Sequence, residues 1–400
     1  MSAIARSLAI HGTFANPFEP AITGPTAVVP PLHPIFLAAN FWLFSGPLAR
    51  IMPTLGNILA NAVTAAVMPW LSRVFYGNPA PGVFAGILWI CVMRLLPQWD
   101  FGYTLAALVL FAVLTADNIG RGKISGKLAV GAGLAGGLIS LGNPATVLVF
   151  GLWVLFLVVR SRCPAKDALR YLAVFVVTVA LCNAPWAIRN YRIWHAFALR
   201  TNFGMTIYSS NNDCAQSSLI QNARSGCYQK THPVFSETEL GLMKRLGEVE
   251  FDRQTTTRAM EWIRSHPNRF RQLTLARVRE FWFPEPQPPT YTYYAIWVVT
   301  ALSIPGVILM ARNRLPVVWF VLALWVAYPL MYYIVVSCDR YRYPIIWSSL
   351  MPAGYFLSIL WTARTGGAER PATAGSPMRQ PVLGARPGTL PATRRLTGNW

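Results

Sequence analysis

Long apolar runs separated by short polar segments dominate the pattern of this sequence. A membrane-spanning helix needs about 20 mostly apolar residues, and nine stretches meet or approach that length. The segments between them hold the prolines, glycines and charges that end helices. The sequence therefore predicts an all-α, polytopic transmembrane bundle. The predicted spans are residues 52–72, 82–97, 104–119, 128–141, 144–159, 169–187, 292–311, 315–337 and 343–362.

The fourth and fifth spans are short and meet at the sequence Leu141-Gly142-Asn143-Pro144. They are either two tilted helices or a re-entrant pair, and the pattern does not choose between them. Small residues crowd the fourth span, which predicts close packing against a neighbouring helix.

Composition supports the membrane assignment. Apolar residues make up 54% of the chain and charged residues 12%, against the roughly 25% charge of ordinary soluble domains. These figures exclude a soluble enzyme, a collagen-like or disordered chain and a small disulfide scaffold.

Basic residues outnumber acidic ones by 35 to 15, a net charge of +20. They are scattered between apolar runs and form no basic-aromatic module, so we expect no nucleic-acid partner. Loops that stay in the cytoplasm are enriched in Lys and Arg, and alternate loops here carry most of the positive charge. The pattern predicts an inner (plasma) membrane protein with a cytoplasmic C-terminal tail.

This orientation divides the chain into five regions. Residues 1–51 form a first outer loop with an interfacial helix near 34–44, and residues 52–187 and 292–362 are the transmembrane regions. Residues 188–291 form a large periplasmic loop domain, whose stretch 250–283 has the alternation typical of one long helix. Residues 363–400 are a disordered basic tail.

Nine spans with a cytoplasmic C-terminus place residues 1–33 outside. Either this weakly charged tail crosses the membrane unaided, or a preceding helix is absent from the chain.

Two of the six cysteines, Cys214 and Cys227, fall in the large outer loop. In an oxidising periplasm they form either a disulfide or two separate thiols. The other four lie in or beside spans and are expected to pack there. No Cys/His spacing indicates zinc, so no metal ligands are predicted.

Several short motifs occur in order on the predicted outer side, and each is weak alone. They are Ile4-Ala5-Arg6-Ser7-Leu8-Ala9, Gly12-Thr13-Phe14, Pro25-Thr26-Ala27, Pro30-Pro31-Leu32-His33-Pro34, Pro185-Trp186-Ala187-Ile188-Arg189-Asn190-Tyr191, Thr201-Asn202-Phe203-Gly204, Asn211-Asn212, His266-Pro267-Asn268-Arg269-Phe270 and Arg340-Tyr341-Arg342-Tyr343-Pro344. Together they resemble the dolichyl-phosphate-mannose–protein mannosyltransferase-like (RgtA/B/C/D-like) glycosyltransferases, over roughly residues 1–360.

The resemblance implies an inverting membrane glycosyltransferase of the GT-C type. Such an enzyme moves a sugar from an undecaprenyl- or dolichyl-phosphate carrier to an acceptor, which is a glycan, a lipid or a protein, on the outer face. The family's first outer loop normally begins with an acidic motif that follows a first transmembrane helix. Here the only acid before the second span is Glu19. We therefore expect a chain that lacks this helix and motif, and that is truncated, started late or inactive.

Transfer from a lipid phosphate needs positive charge at the leaving phosphate and a base for the acceptor hydroxyl. The candidates for binding the phosphate are Arg340, Arg342 and Arg189, which follow the outer ends of spans. One guanidinium group can donate two parallel hydrogen bonds to two phosphate oxygens. Interfacial anchoring, or a salt bridge with Asp339, is the structural alternative. Asp339 and Glu19 are the candidate catalytic acids.

The remaining candidates are polar residues beside the outer loops. The structural alternatives are a turn for Asn211 and Asn212, helix capping or packing for the histidine, and snorkelling to the surface for the intramembrane arginine. Residues expected to contact the sugar or acceptor are Asn202, Asn211, Asn212 and His33, and the intramembrane charge is Arg94. No cofactor is predicted, and a divalent metal is left open because GT-C enzymes differ in needing one.

Two rival functions remain open. One is a polysaccharide ligase or polymerase, which also combines many spans with one large outer loop. The other is a non-catalytic subunit that binds the lipid carrier or assists envelope assembly, and a missing acidic motif favours it. A transporter is disfavoured, because the sequence shows no internal repeat and few intramembrane charges.

Overall fold

The computed structural model describes residues 1–93, 95, 99–115, 118, 124–288 and 290–365. Helices form the regular structure of these ranges, which hold two isolated bridges and no β-strand, so the all-α prediction is confirmed. The predicted tail from residue 366 onward and Arg94 lie outside the described residues. The α-helices are Ser2–His11, Leu32–Leu43, Gly46–Tyr76, Ala80–Val92, Phe101–Leu114, Gly126–Ser140, Thr146–Ser161, Ala165–Trp194, Phe203–Ser210, Leu219–Arg224, Cys227–Thr231, Glu237–Leu246, Glu248–Ser265, Pro267–Trp282, Thr290–Arg312, Val317–Ala327, Leu330–Tyr333 and Trp347–Thr365, with a 3₁₀ helix at Asp339–Ile345.

Three described helices are long and apolar enough to cross a membrane: Gly46–Tyr76, Ala165–Trp194 and Thr290–Arg312. The 3₁₀ helix Asp339–Ile345 and the helix Trp347–Thr365 would make a fourth span, bent by 68°. Five of the six shorter apolar helices in the described ranges lie at the other predicted spans, and the sixth, Leu32–Leu43, lies at the predicted interfacial helix. A polytopic membrane bundle is therefore confirmed, while the number of nine spans stays a prediction.

Small residues bring the apolar helices together. A Cβ on Gly133 would lie 2.6 Å from Thr178, and one on Gly137 would lie 2.6 Å from Cys182. Both contacts join Gly126–Ser140 to Ala165–Trp194, as the small-residue pattern predicts.

The predicted helix over 250–283 is wrong as a single element, because it is two helices that meet at His266. The backbone of His266 has φ −126° and ψ 52°, outside the helical region. Pro267 explains the break, since a proline lacks an N–H donor and disfavours the helical conformation of the residue before it. The turn lets the second helix run back toward the membrane bundle.

The predicted span over 315–337 is also interrupted. The helix Val317–Ala327 is followed by Pro329, the short helix Leu330–Tyr333 and then non-helical backbone up to the 3₁₀ helix at Asp339. Ser337 pairs with residues 188–291, which we call the outer segment after their predicted location, because its N–H donates to the carbonyl of Ser217 at 2.9 Å. Residues 334–338 thus run beneath the outer segment.

The first loop is packed onto the outer segment through a small apolar core. Phe18 and Val28 from the loop contact Met205, Met243 and Phe251 from the outer helices. This core, together with the ends of the apolar helices, encloses the space described next.

Candidate functional site

A cavity of about 500 Å³ lies where the first loop, the outer segment and the ends of the apolar helices meet. We call it the cationic cavity, because two arginines and one acid line it. Its charged lining residues are Asp100, Arg200 and Arg340, and its ring-bearing lining residues are Phe18, Trp99, Phe101, Phe203, Tyr228, His232, Tyr332 and Tyr341.

Arg200 and Arg340 supply the positive charge of this cavity. The Nε of Arg200 donates to the carbonyl of Val28 at 3.0 Å, which orients the side chain. The guanidinium of Arg340 lies 4.0 Å from the ring centre of Trp99, and its Nε has no hydrogen-bond partner in the described part of the chain. Loss of hydration within the cavity lowers the pKa of Arg200, and the positive charge of Arg340 lowers it further by a smaller amount. The two cations therefore share one space that an anion would stabilise.

Asp100 is the acid of the cavity and is only 7% exposed. Its Oδ2 accepts a hydrogen bond from the Thr104 hydroxyl at 2.8 Å, and the side chain of Asn143 also bonds to it. Burial raises the pKa of Asp100 to about 6, although these hydrogen bonds and the positive charge of Arg200 act in the opposite direction. A carboxyl group with this pKa can take up a proton near neutral pH.

Aromatic rings support the arginine side of the cavity. Tyr332 stacks on Tyr341 with ring centres 4.6 Å apart, and Phe281 stacks behind Tyr332 at 6.1 Å. Tyr341 also interacts electrostatically with both Arg200 and Arg340. The stack fixes the backbone that presents Arg340 to the cavity.

Arg342 lies two residues from Arg340 but does not line the cavity. It is buried, and its guanidinium donates to the carbonyl of Trp282 at 3.0 Å, to the Thr300 hydroxyl at 2.7 Å and to the Ser349 hydroxyl at 2.9 Å. These partners belong to the helices Pro267–Trp282, Thr290–Arg312 and Trp347–Thr365, so Arg342 holds the 3₁₀ helix against three neighbouring helices. In the structure Arg342 has the contacts of a packing residue.

Arg189 is likewise engaged away from the cavity. Its guanidinium donates to the carbonyls of Thr26 at 2.8 Å and Phe14 at 3.0 Å and lies over the ring of Trp186 at 4.8 Å. Arg189 therefore fastens the first loop to the end of the Ala165–Trp194 helix.

Glu248 completes the attachment of the first loop. Its buried carboxylate accepts a hydrogen bond from the N–H of Ala27 at 2.6 Å and another from the Thr201 hydroxyl. Burial raises the pKa of Glu248. Glu248 and Arg189 thus hold the first loop in place beside the cationic cavity.

The two predicted catalytic acids lie elsewhere. Glu19 forms an exposed ion pair with Arg6 and is not part of the cavity lining. Asp339 accepts a hydrogen bond from the Tyr293 hydroxyl at 3.1 Å and lines a second cavity of about 300 Å³. Asp339 and Arg340 are therefore adjacent in sequence but line different cavities.

Of the predicted sugar-contacting residues, Asn202 lines the cationic cavity. Asn211 is buried and accepts a hydrogen bond from Arg277 at 3.1 Å. Asn212 donates to the carbonyl of Tyr208 at 2.8 Å. His33 is buried, with its ring 5.9 Å from that of Phe36. The last three thus pack within the protein.

Cys214 and Cys227 form a disulfide in the structure, with Cα atoms 5.4 Å apart. Cys227 begins the short helix that carries Tyr228 into the cavity wall. Within the described ranges, no three His, Cys, Asp or Glu side chains are grouped so that they could hold a metal ion.

Sequence reasoning did not select Asp100 or Arg200. Asp100 stands between two predicted spans and Arg200 follows the end of a helix, where a charge is ordinary. The position of Asp100 at an outer helix end was the available signal, but nothing in the sequence relates it to Arg200 a hundred residues later.

No protein-family model matches this sequence, and no curated protein matches it. Its structure is similar to that of the Archaeoglobus fulgidus oligosaccharyltransferase in complex with Zn and sulfate, with a TM-score of 0.52 and 14% identity. The match covers 91% of this chain and 45% of that chain. The chain has a GT-C-like fold.

A second similar structure is the oligosaccharyltransferase AglB from Archaeoglobus fulgidus in complex with an inhibitory peptide and a dolichol-phosphate. Its TM-score is 0.51 at 13% identity, and the match covers 92% of this chain and 47% of that one. This chain thus spans less than half the length of the enzymes it resembles. At this identity the likeness establishes the fold, and membership of the mannosyltransferase-like family stays a prediction.

Proposed function

We propose that this protein is a membrane glycosyltransferase that transfers a sugar from a polyprenyl-phosphate donor to an acceptor on the outer face of the plasma membrane. The observation that carries the proposal is the grouping of Arg200, Arg340 and Asp100 in one cavity at the ends of apolar helices. Two cations suit a phosphate group, and one acid of raised pKa suits a base.

In the proposed reaction the donor phosphate lies between Arg200 and Arg340. An acceptor hydroxyl oxygen attacks the anomeric carbon of the sugar, and the bond from that carbon to the phosphate oxygen breaks. The polyprenyl phosphate leaves with the electron pair of this bond and is stabilised by the two guanidinium groups. Asp100 takes the proton of the attacking hydroxyl. A single displacement of this kind inverts the anomeric configuration.

The similar structures support this ligand chemistry by analogy. One of the oligosaccharyltransferase structures contains a dolichol-phosphate, and another is tethered to an acceptor peptide containing the NVT sequon. For this protein the proposed acceptor is a glycan, a lipid or a protein.

Binding of undecaprenyl phosphate to the full chain in lipid nanodiscs tests the phosphate site. Hydrogen bonds to charged groups contribute about 1.5–3 kcal/mol, so Arg200→Gln and Arg340→Gln are each expected to weaken binding by about tenfold or more. Arg192→Gln is the matched control, because Arg192 is exposed on the outer segment side and does not line the cavity. Equal binding by all four proteins would contradict the proposed phosphate site.

The rival function is a non-catalytic subunit that binds the lipid carrier without transferring its sugar. Asp100 favours the enzyme, since phosphate binding alone would be weakened by a buried carboxyl group beside Arg200. A protein that binds the carrier in an arginine-dependent way but transfers none of the tested sugars would support the rival.

A further inference from the structure

His232 lies in the wall of the cationic cavity, directly after the helix Cys227–Thr231. Its ring stacks on Tyr228, with ring centres 4.7 Å apart and planes 12° from parallel. Tyr228 also interacts electrostatically with Arg340 and Tyr341. His232 therefore lines the same cavity as Arg200 and Arg340, so a sugar attached to a phosphate bound by these arginines would share this cavity with His232.

The hydrogen bonds of His232 define which ring nitrogen carries its proton. Nδ1 accepts a hydrogen bond from the backbone N–H of Val234 at 3.1 Å. A neutral imidazole that accepts at Nδ1 carries its proton on Nε2. In the described part of the chain no residue accepts a hydrogen bond from Nε2. One N–H donor is therefore left for a ligand in the cavity.

The surroundings keep this donor neutral and fixed. Burial lowers the pKa of His232 to about 4, so the ring carries no charge at physiological pH. Phe18 contacts the ring edge-on at 6.3 Å, and Phe235 packs at 6.2 Å. A neutral donor that is held in one orientation adds no charge to the cavity, and it suits an uncharged oxygen whose position is defined.

We infer that His232 binds the sugar of the donor by donating a hydrogen bond from Nε2 to a hydroxyl or acetamido carbonyl oxygen. This inference rests on the proposed function, and it makes the Tyr228–His232 pair the part of the cavity that distinguishes one sugar from another. The ligand class is a neutral, hydroxylated sugar linked to a lipid phosphate.

The test compares undecaprenyl phosphate with undecaprenyl phosphates carrying glucose, galactose, mannose, arabinose or N-acetylglucosamine, each bound to the full chain in nanodiscs. The measured quantity is the gain in affinity that the best-bound sugar adds over the bare lipid phosphate. His232→Phe keeps a stacking ring without a donor, so it is expected to reduce this gain about 3- to 10-fold and to leave bare lipid binding unchanged. His232→Gln retains an N–H donor and should keep part of the gain.

His266→Phe is the matched control, because His266 also stacks on an aromatic ring, that of Trp262 at 5.0 Å, but lies outside the cavity. It is expected to leave every affinity unchanged. If His232→Phe fails to fold, ¹⁵N-histidine spectra of the wild-type chain replace it: the Nε2 resonance of His232 should shift with the sugar-bearing lipid and not with bare lipid phosphate.

The outcomes separate the two proposals. The role of His232 is overturned if the arginines bind bare lipid phosphate but no sugar adds affinity. It is also overturned if a sugar adds affinity that His232→Phe leaves intact. Both outcomes leave the proposed function standing. The absence of wild-type binding to any of these lipids overturns the proposed function and this inference with it.

Discussion

Asp100 combines burial, hydrogen bonding and a neighbouring cation in a way that suits proton exchange. Loss of hydration opposes its ionisation, whereas Thr104, Asn143 and Arg200 favour it, and the pKa of about 6 is the balance of these effects. If Asp100 is the base, only its ionised form is active. The protonated form then predominates below pH 6 and the ionised form above it.

We therefore expect the transfer rate to fall as the pH is lowered through about 6, by up to tenfold for each further unit. Asp100→Asn should slow transfer by about 10²- to 10⁴-fold, the usual contribution of a general base, and should remove this pH dependence. Transfer assays across pH 5–8 measure both effects. Glu19→Gln is the control, because Glu19 lies in an exposed ion pair outside the cavity. An Asp100→Asn variant as active as the Glu19→Gln variant would rule out Asp100 as the base.

Arg342 shows the opposite use of an arginine side chain. Its buried guanidinium donates to three acceptors, which are the carbonyl of Trp282 and the hydroxyls of Thr300 and Ser349. Removing the guanidinium leaves these groups without their donor, and each unsatisfied buried group costs about 1–3 kcal/mol.

Arg342→Met is accordingly expected to lower the free energy of unfolding by about 3 kcal/mol or more. Arg340→Met, in which the lost side chain faces a cavity, should lower it much less. Thermal or denaturant unfolding of the two variants in the same detergent provides the comparison. Equal losses of stability would show that Arg342 is not the packing residue described here.

At the level of elements, glycines set the distances between the apolar helices. A Cβ on Gly354 would lie 2.1 Å from the carbonyl oxygen of Pro81 and 2.9 Å from the nitrogen of Ala85. The helix Trp347–Thr365 therefore packs directly against the backbone of Ala80–Val92. Because the obstructing atoms belong to the backbone, a side-chain rotation cannot relieve the contact.

Gly354→Ala should force these two helices apart and destabilise the fold by about 1–3 kcal/mol, the usual range for overpacking. Gly131→Ala is the matched control, since a Cβ there meets nothing within 4 Å and alanine favours the helix by up to about 1 kcal/mol. Thermal unfolding should thus show a lowered midpoint for the first variant and an unchanged or raised midpoint for the second. A Gly354→Ala variant as stable as wild type would contradict the close packing.

Over the whole molecule, the cationic cavity opens among the outer segment and the helix ends that join it. The proposed orientation places this face in the periplasm, because Lys and Arg are concentrated in the opposite loops and in the C-terminal tail. The same orientation puts Cys214 and Cys227 in an oxidising compartment, where a disulfide persists.

Reporter fusions test this orientation. Alkaline phosphatase fused after Ser265 is expected to be active, since the enzyme needs export, and green fluorescent protein fused after Thr365 is expected to fluoresce in the cytoplasm. When the two reporters are exchanged, the phosphatase should be inactive and the green fluorescent protein should not fluoresce. Active phosphatase at Thr365 would reverse the orientation and place the cavity on the cytoplasmic side.

Much of the architecture follows from the sequence. Apolar runs of membrane length predict a helical bundle, and small residues predict the close contact of Gly126–Ser140 with Ala165–Trp194. Such features depend on neighbours along the chain and on the solvent, so a linear pattern contains them. Breaks at Pro267 and Pro329 were visible in the sequence as well, but the apolar and charged alternation around them indicated continuous helices.

The composition of the site was decided by tertiary structure. Arg340 and Arg342 are two residues apart in a 3₁₀ helix, which has three residues per turn, so their side chains leave the axis in different directions. One faces a cavity and the other is buried among hydroxyl and carbonyl oxygens. Asp100 and Arg200 meet only because the first loop and the outer segment close over the helix ends. The sequence by itself determined a membrane bundle with polar outer loops, because hydrophobic length and charge act locally. Only the folded chain decided which charges share one cavity, because that depends on contacts between residues far apart in sequence.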